Sequence, residues 1–208
     1  MTGEHSSNGD LSTHKSPKLS MPFAAPSFML NKYSISAFNQ LYYAKTRQTV
    51  SHQHVHYNSF FYPLDGIKQW NNLYGRQGFV QYQFVIPLDA GLEGLQEILS
   101  SIAASKKGSF LAVLKVFGSG NDNYLSFPMP GYSLALDFKV EPGIFNLLQQ
   151  LDELVLKYQG RLYLTKDARM SENTFKQSYP NWQKFAAVRE QYHLTEQFQS
   201  LQSQRLGL

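Results

Sequence analysis

An α+β fold, in which two helices cover one face of a four-stranded antiparallel sheet, is predicted by three observations. Apolar and polar positions alternate in short runs at 79–86, 110–117 and 132–138. Two longer stretches, 89–108 and 143–158, carry apolar residues at helical spacing between helix-starting and helix-ending residues. A last short strand, 161–165, follows the second helix, so the order is β-α-β-β-α-β. That order is the split-βαβ or ferredoxin-like arrangement, with both helices on one face and the other face left open.

Composition bounds what such a fold can do here. The chain has 208 residues, 42% of them hydrophobic and 16% charged, which is enough to bury a core and too apolar for disorder throughout. With no cysteine there is no disulfide framework, thiolate metal site or cysteine nucleophile. The net charge of +4 is scattered, with no Lys/Arg block, so no nucleic-acid partner is expected. No apolar run reaches the length of a membrane span.

Taken in order, residues 1–27 are rich in Ser, Gly, Pro and His and read as a disordered leader. Residues 49–57 alternate like a strand, placing His52, His54 and His56 on one side; no carboxylate follows at a spacing that would make a metal site of them. A short helix is expected over 65–74, capped by Asp65 and ended by Gly75. The strand 79–86 follows, then a helix capped by Asp89 that buries Leu92, Leu95, Ile98, Leu99 and Ile102 and stops at Gly108. A Gly/Asn/Pro-rich connection, 118–131, joins the second and third strands. Beyond the fourth strand lies the polar turn Lys166-Asp167-Ala168-Arg169-Met170. Ser171 then caps a helix, Pro180 opens another, and a weak polar helix covers 195–206. These terminal pieces have too little apolar surface to stand alone.

Strand parity identifies the open face. If Val80, Tyr82, Phe84 and Ile86 meet the helices, Gln81, Gln83 and Val85 face away. The same rule puts Lys115 with Leu111, Val113 and Phe117, and Ser133 with Ala135 and Asp137, on that free side. Amides, an ammonium and a carboxylate between aromatic groups suit a polyhydroxylated ligand. A merely solvated face is the alternative, although Leu111, Val113 and Phe117 make better sense if something covers them.

Several ordered motifs carry a family resemblance. They include Phe61-Tyr62-Pro63-Leu64-Asp65, Trp70-Asn71, Gly78-Phe79-Val80-Gln81-Tyr82-Gln83-Phe84, Lys115-Val116-Phe117-Gly118, Leu125-Ser126-Phe127-Pro128, Pro130-Gly131-Tyr132, Gly160-Arg161-Leu162-Tyr163 and Lys166-Asp167-Ala168-Arg169-Met170. The chain resembles, from about residue 30 onward, the carboxy-terminal half of FAD-linked oxidases of the vanillyl-alcohol-oxidase type. The likeness is to the branch of the decaprenylphosphoryl-ribose oxidases and the D-arabinono-1,4-lactone oxidases. The resemblance implies a substrate-cap domain at 28–160 and, at 161–208, a segment that completes an FAD-binding domain. It implies oxidation of a sugar or sugar-lactone hydroxyl by hydride transfer to flavin, with Lys166 as the catalytic and cofactor-facing cation. By the same likeness Gln81, Gln83, Lys115 and Ser133 line the substrate pocket, with Tyr62 at its aromatic edge. Ser133 and Ala135 depart from an asparagine and a cysteine in the mycobacterial relatives, which bears on the substrate. FAD itself would be held mainly by an amino-terminal half on another polypeptide, because Gly118-Ser119-Gly120 opens no helix and makes no phosphate cradle. The isolated chain is therefore expected to be inactive. Its expected setting is the cytoplasm, with peripheral membrane contact if the sugar is carried on a polyprenyl phosphate. A non-catalytic binding module derived from such an oxidase is the rival reading.

Overall fold

The computed structural model describes residues 4, 5, 7, 9, 19–26, 29, 31–44, 50, 52–62, 66–109 and 111–208. Asp65 and Phe110, expected in a helix cap and a strand, lie outside the described residues, as do Thr49 and most of the leader. The chain divides into two compact units, Met1–Gly78 and Phe79–Leu208.

The first unit contains β1 (Leu19–Ser20), α1 (Lys32–Ala44), α2 (Tyr57–Phe61) and β2 (Ile67–Lys68). β1 pairs in parallel with β2. The Asn72 side chain donates to the Met21 carbonyl at 2.6 Å, and the Asn72 backbone carbonyl accepts from the Ala25 N–H at 2.7 Å. Two expectations are corrected here. Residues 52–56 form no strand: the extended run ends where His56 Nδ1 accepts from the Asn58 N–H at 3.3 Å, capping α2. The helix expected over 65–74 is only a 3-10 turn, Trp70–Tyr74, because β2 pairing and a left-handed Gln69 (φ 56°) precede it. Gly75, at φ 76°, ends it as expected.

In the second unit, β3 (Phe79–Pro87), α3 (Gly91–Ser105), β4 (Ala112–Phe117), β5 (Gly131–Lys139), α4 (Ile144–Lys157) and β6 (Arg161–Leu162) follow the predicted order. The sheet runs β4-β5-β3-β6, with every pair antiparallel. Tyr82, Phe84 and Ile86 of β3 and Leu134, Leu136 and Phe138 of β5 are buried against the helices, as parity requires. α5 (Glu172–Ser178), α6 (Trp182–Gln191), α7 (Leu194–Gln197) and α8 (Leu201–Leu206) complete the unit. Ser171 caps α5 by accepting from the Thr174 N–H at 3.1 Å. Phe175, Tyr179 and Leu206 join the core, so this terminal segment docks on the sheet and α4. The expected helix over 195–206 is broken in two, and Ser200 with Ser203 forms a capping box that restarts it as α8.

The packing of the first long helix departs from the expected apolar stripe. α3 begins after Ala90, with no side-chain cap from Asp89, and ends at a left-handed Lys106 (φ 59°) before Gly108. Its buried stripe is Gly91, Gly94, Ile98 and Ile102, while Leu92 and Leu99 are exposed. The cause is close approach: a Cβ at Gly91 would lie 2.3 Å from the Tyr132 ring. The glycines therefore turn toward the sheet and rotate the leucines outward. β4 is the outer strand, and Leu114 and Val116, expected beneath the helices, are 57% and 66% exposed. β6 is also shorter than expected. After Leu162 only the Tyr163 N–H still reaches β3, donating to the Gln83 carbonyl at 2.8 Å. The chain then winds into a 3-10 turn, Leu164–Lys166.

Candidate functional site

That early departure of β6 builds the site. Toward its start from Gln83, β3 has no strand partner on its β6 side among the described residues, and the chain turns away there through Leu164–Lys166. Lys166 Nζ donates to Gln81 Oε1 at 2.6 Å. Gln81 sits opposite Asp137 in the β3–β5 register, and its Nε2 donates to Asp137 Oδ1 at 3.0 Å. Ammonium, amide and carboxylate thus form one line across the free face. Two residues along, Gln83 Nε2 donates to Ser133 Oγ at 3.1 Å. Ser133 is paired in register with Lys115 of β4, so the two lie on the same face. Lys115 is exposed and pairs with no carboxylate among the described residues. A shallow, solvent-open depression lies at this edge, lined by Gln81, Gln83, Tyr163, Lys166, Asp167 and Arg169 among others.

The turn that carries Lys166 is held from beneath. Asp167 Oδ1 accepts from the N–H groups of Arg169 and Met170 at 2.9 and 2.7 Å. Its Oδ2 accepts from Arg205 Nη2 of α8 at 2.8 Å, and Arg205 also donates to the Met170 carbonyl. Arg169 reaches inward, donating to Asp152 Oδ1 of α4 at 2.5 Å and to the Leu148 carbonyl at 3.1 Å. Tyr82, from the helix-facing side of β3, donates to the same Asp152 oxygen at 3.0 Å. Burial holds the Asp152 carboxyl above its ordinary value, against the opposing pull of the Arg169 guanidinium. Burial likewise drives the Tyr82 phenol well above its ordinary value, so it stays a donor.

The opposite end of the face is closed by aromatic packing. Phe127, from the 118–130 connection, stacks on Tyr163 with centroids 4.4 Å apart and meets the Phe117 edge at 5.7 Å. Arg161 Nη1 fixes this connection by donating to the Ser126 carbonyl at 2.7 Å. On this face Gln81 and Gln83 are half-buried, whereas Ser133 and Asp137 are buried, at 1% and 3% exposure.

Of the residues singled out by sequence, Gln81 and Lys166 are brought into contact, as are Gln83 and Ser133. Lys115 shares their face, whereas Tyr62 belongs to the first unit, where it is exposed at the end of α2. Parity put Asp137 on the free face but assigned it no role. Asp137 is 3% exposed, and its Oδ2 has no hydrogen-bond partner among the described residues. Burial pushes this carboxyl up, against the pull of Gln81 and Lys166.

By fold, then, the second unit is a split-βαβ sheet whose open side carries a lysine held by an amide. The chain is 36% identical over 190 residues, 91% of its length, to decaprenylphosphoryl-β-D-ribose oxidase from Mycolicibacterium smegmatis. It is also 31% identical over 115 residues, 55% of its length, to an uncharacterized protein in the mprA 5′ region of Streptomyces coelicolor. The chain spans 41% and 31% of these two proteins, less than half of each. No family model matches it. Among the described residues no helix is long and apolar enough to cross a membrane.

Proposed function

We propose that this chain is the substrate-covering and carboxy-terminal portion of an FAD-dependent oxidoreductase acting on a sugar or sugar-lactone hydroxyl. One observation carries the reading: Lys166 Nζ is held 2.6 Å from Gln81 Oε1 on the sheet face opposite the helices, where both line a shallow depression at the sheet edge. The likeness to an oxidase supports it. So does the donor set, because a lone ammonium beside neutral amides fits a ring that becomes anionic on reduction.

FAD, when bound, would accept the hydride from the carbinol carbon. It would be held mainly by a portion outside these 208 residues, proposed to be a separate polypeptide, with Lys166 as the cation facing it. This chain's own residues bind and orient. The Lys166 ammonium has donors to spare beyond Gln81 and can hold the oxygen of the reacting hydroxyl. Gln83 spends its Nε2 on Ser133, which leaves Oε1 to accept from a sugar hydroxyl. Lys115, extended and exposed on the same face, suits an anionic group at the far end of the substrate, such as a phosphate. The smaller Ser133 and Ala135 set the pocket's width.

Co-expression with a candidate flavin-binding polypeptide tests the proposal. The expected result is a co-purifying complex with flavin absorbance near 450 nm (roughly, as for protein-bound flavins) that bleaches on adding substrate. In that complex Lys166→Ala should lower turnover by about 100-fold or more while shifting the melting temperature by less than about 3 °C. Flavin retention without bleaching by any sugar alcohol would favour a binding module. Unchanged turnover in Lys166→Ala would remove the lysine from the chemistry.

A further inference from the structure

We infer that Asp137 is the positioning residue for Lys166, acting through Gln81. The argument rests on which atoms can donate. A glutamine amide fits its slot in either of two orientations, because nitrogen and oxygen occupy nearly the same space. Lys166 has only donors, and an ionised carboxylate has only acceptors. Between them, the Gln81 amide has one productive orientation: Nε2 toward Asp137 at 3.0 Å and Oε1 toward Lys166 at 2.6 Å. Without Asp137 the amide is free to turn its NH2 toward the ammonium, and the lysine loses its acceptor.

The surroundings show that Asp137 is kept for more than its own packing. It is 3% exposed, and its second oxygen has no partner among the described residues, an arrangement that costs stability. An apolar residue would be cheaper in that place. The backbone there is also fixed. The Asp137 N–H donates to Ser109 Oγ at 2.9 Å, and Ser109 Oγ donates to the Asp137 carbonyl at 3.1 Å. The carboxylate is thus aimed along the β3–β5 register at Gln81. Gln83 lacks such a device: its partner is the Ser133 hydroxyl, which can either donate or accept, so that amide is free to adapt to a ligand.

The inference deepens the flavin reading and rests on Lys166 being the functional cation, yet its test needs no flavin. The full chain is acylated with a water-soluble N-hydroxysuccinimide ester, and the rates at Lys166 and Lys115 are followed by peptide mass spectrometry. Four proteins are compared: wild type, Asp137→Leu, Gln81→Leu and the double variant. Freeing Lys166 from a charge-assisted hydrogen bond should raise its rate about 5- to 30-fold in each single variant. Lys115 on the same face should keep its rate. The double variant should react no faster than Gln81→Leu alone, because a residue that works through Gln81 has nothing to act on once Gln81 is gone. Should Asp137→Leu fail to fold, the smaller Asp137→Ala takes its place. A Lys166 rate within twofold of wild type in the Asp137 variant overturns the inference. So does an Asp137 effect of equal size in the Gln81→Leu background, which would mark generalised loosening of the sheet. Either result leaves the flavin proposal standing on its own test, and absent flavin binding leaves this one intact.

Discussion

Arg169→Met isolates the support beneath the lysine-bearing turn. Methionine retains much of the aliphatic stem but removes the guanidinium, which lies 5.9 Å from the centroid of the Tyr82 ring. Asp152 is left with the Tyr82 hydroxyl as its remaining side-chain donor among the described residues. The Asp152 side chain is 2% exposed and that of Arg169 17%, so solvent screens little of the pair. Breaking a buried pair from one side costs roughly 3–5 kcal/mol, because the remaining charge stays desolvated. The surviving Tyr82 bond argues for the lower end, about 3 kcal/mol. With a urea slope of about 1.5–2 kcal/mol per M for a unit of this size, the unfolding midpoint should fall by roughly 1.5–2 M at unchanged slope. The fall is read by circular dichroism at neutral pH. A second protein carrying Tyr82→Phe, Asp152→Leu and Arg169→Met together should recover to within about 1 kcal/mol of wild type, since the whole polar group is then replaced by apolar side chains. A midpoint within 0.3 M of wild type (roughly the extrapolation error) for Arg169→Met would refute the reasoning. So would a triple variant as unstable as the single one.

Two further outcomes follow from the same geometry. Phe127→Ala removes a buried ring between Phe117 and Tyr163, so limited proteolysis within 118–130 should quicken by about tenfold and the urea midpoint should fall, with a loss of roughly 3 kcal/mol. Cleavage at the wild-type rate would mean that the Arg161–Ser126 bond alone pins the connection. Asp137 is held above its ordinary 3.8, so the folded state keeps this proton longer than the unfolded one. Its contribution is full below 3.8 and is lost as pH rises through the higher folded value. Asp137→Leu should therefore gain stability relative to wild type across that rise. A difference between the two proteins that stays flat with pH would show that the buried carboxyl titrates normally.

The sheet was legible in the sequence because period-two alternation is a direct consequence of strand geometry, and β5 and the first half of β3 carry it, up to the apolar run Phe84-Val85-Ile86. Parity alone put Gln81, Gln83, Ser133, Asp137 and Lys115 on one face, and the register bears this out. Where the reading failed, a competing interaction was at work that no local pattern announces. The glycine stripe of α3 outweighed the leucine periodicity because close approach to Tyr132 requires the absence of a Cβ. The His56 imidazole took the place of a conventional cap. The Asp167–Arg205 pair joins residues 38 apart in sequence, and nothing in the spacing of one aspartate and one arginine pairs them. Contact between Lys166 and Gln81 was beyond reach for the same reason, since it depends on where β6 stops.

That stopping point is the step on which the site turns. Had β6 continued to Thr165, as the alternation allowed, its backbone would have paired with Gln81 and carried the chain straight past the edge of β3. Instead the Tyr163 N–H makes the last β bond, and the Lys166 N–H closes on the Tyr163 carbonyl at 3.0 Å. A 3-10 turn needs a reason to form where a strand could run on, and the reason lies downstream. Asp167 gathers the N–H groups of Arg169 and Met170 and the guanidinium of Arg205, which forces the backbone to bend at that residue. Tyr179 clamps the end of β6 from the core side by donating to the Leu162 carbonyl at 2.5 Å. The terminal helices therefore do more than fill space against α4. They supply the cation that closes the turn, so Arg205 of α8, 39 residues beyond Lys166 (205 − 166), helps to decide which way that lysine points.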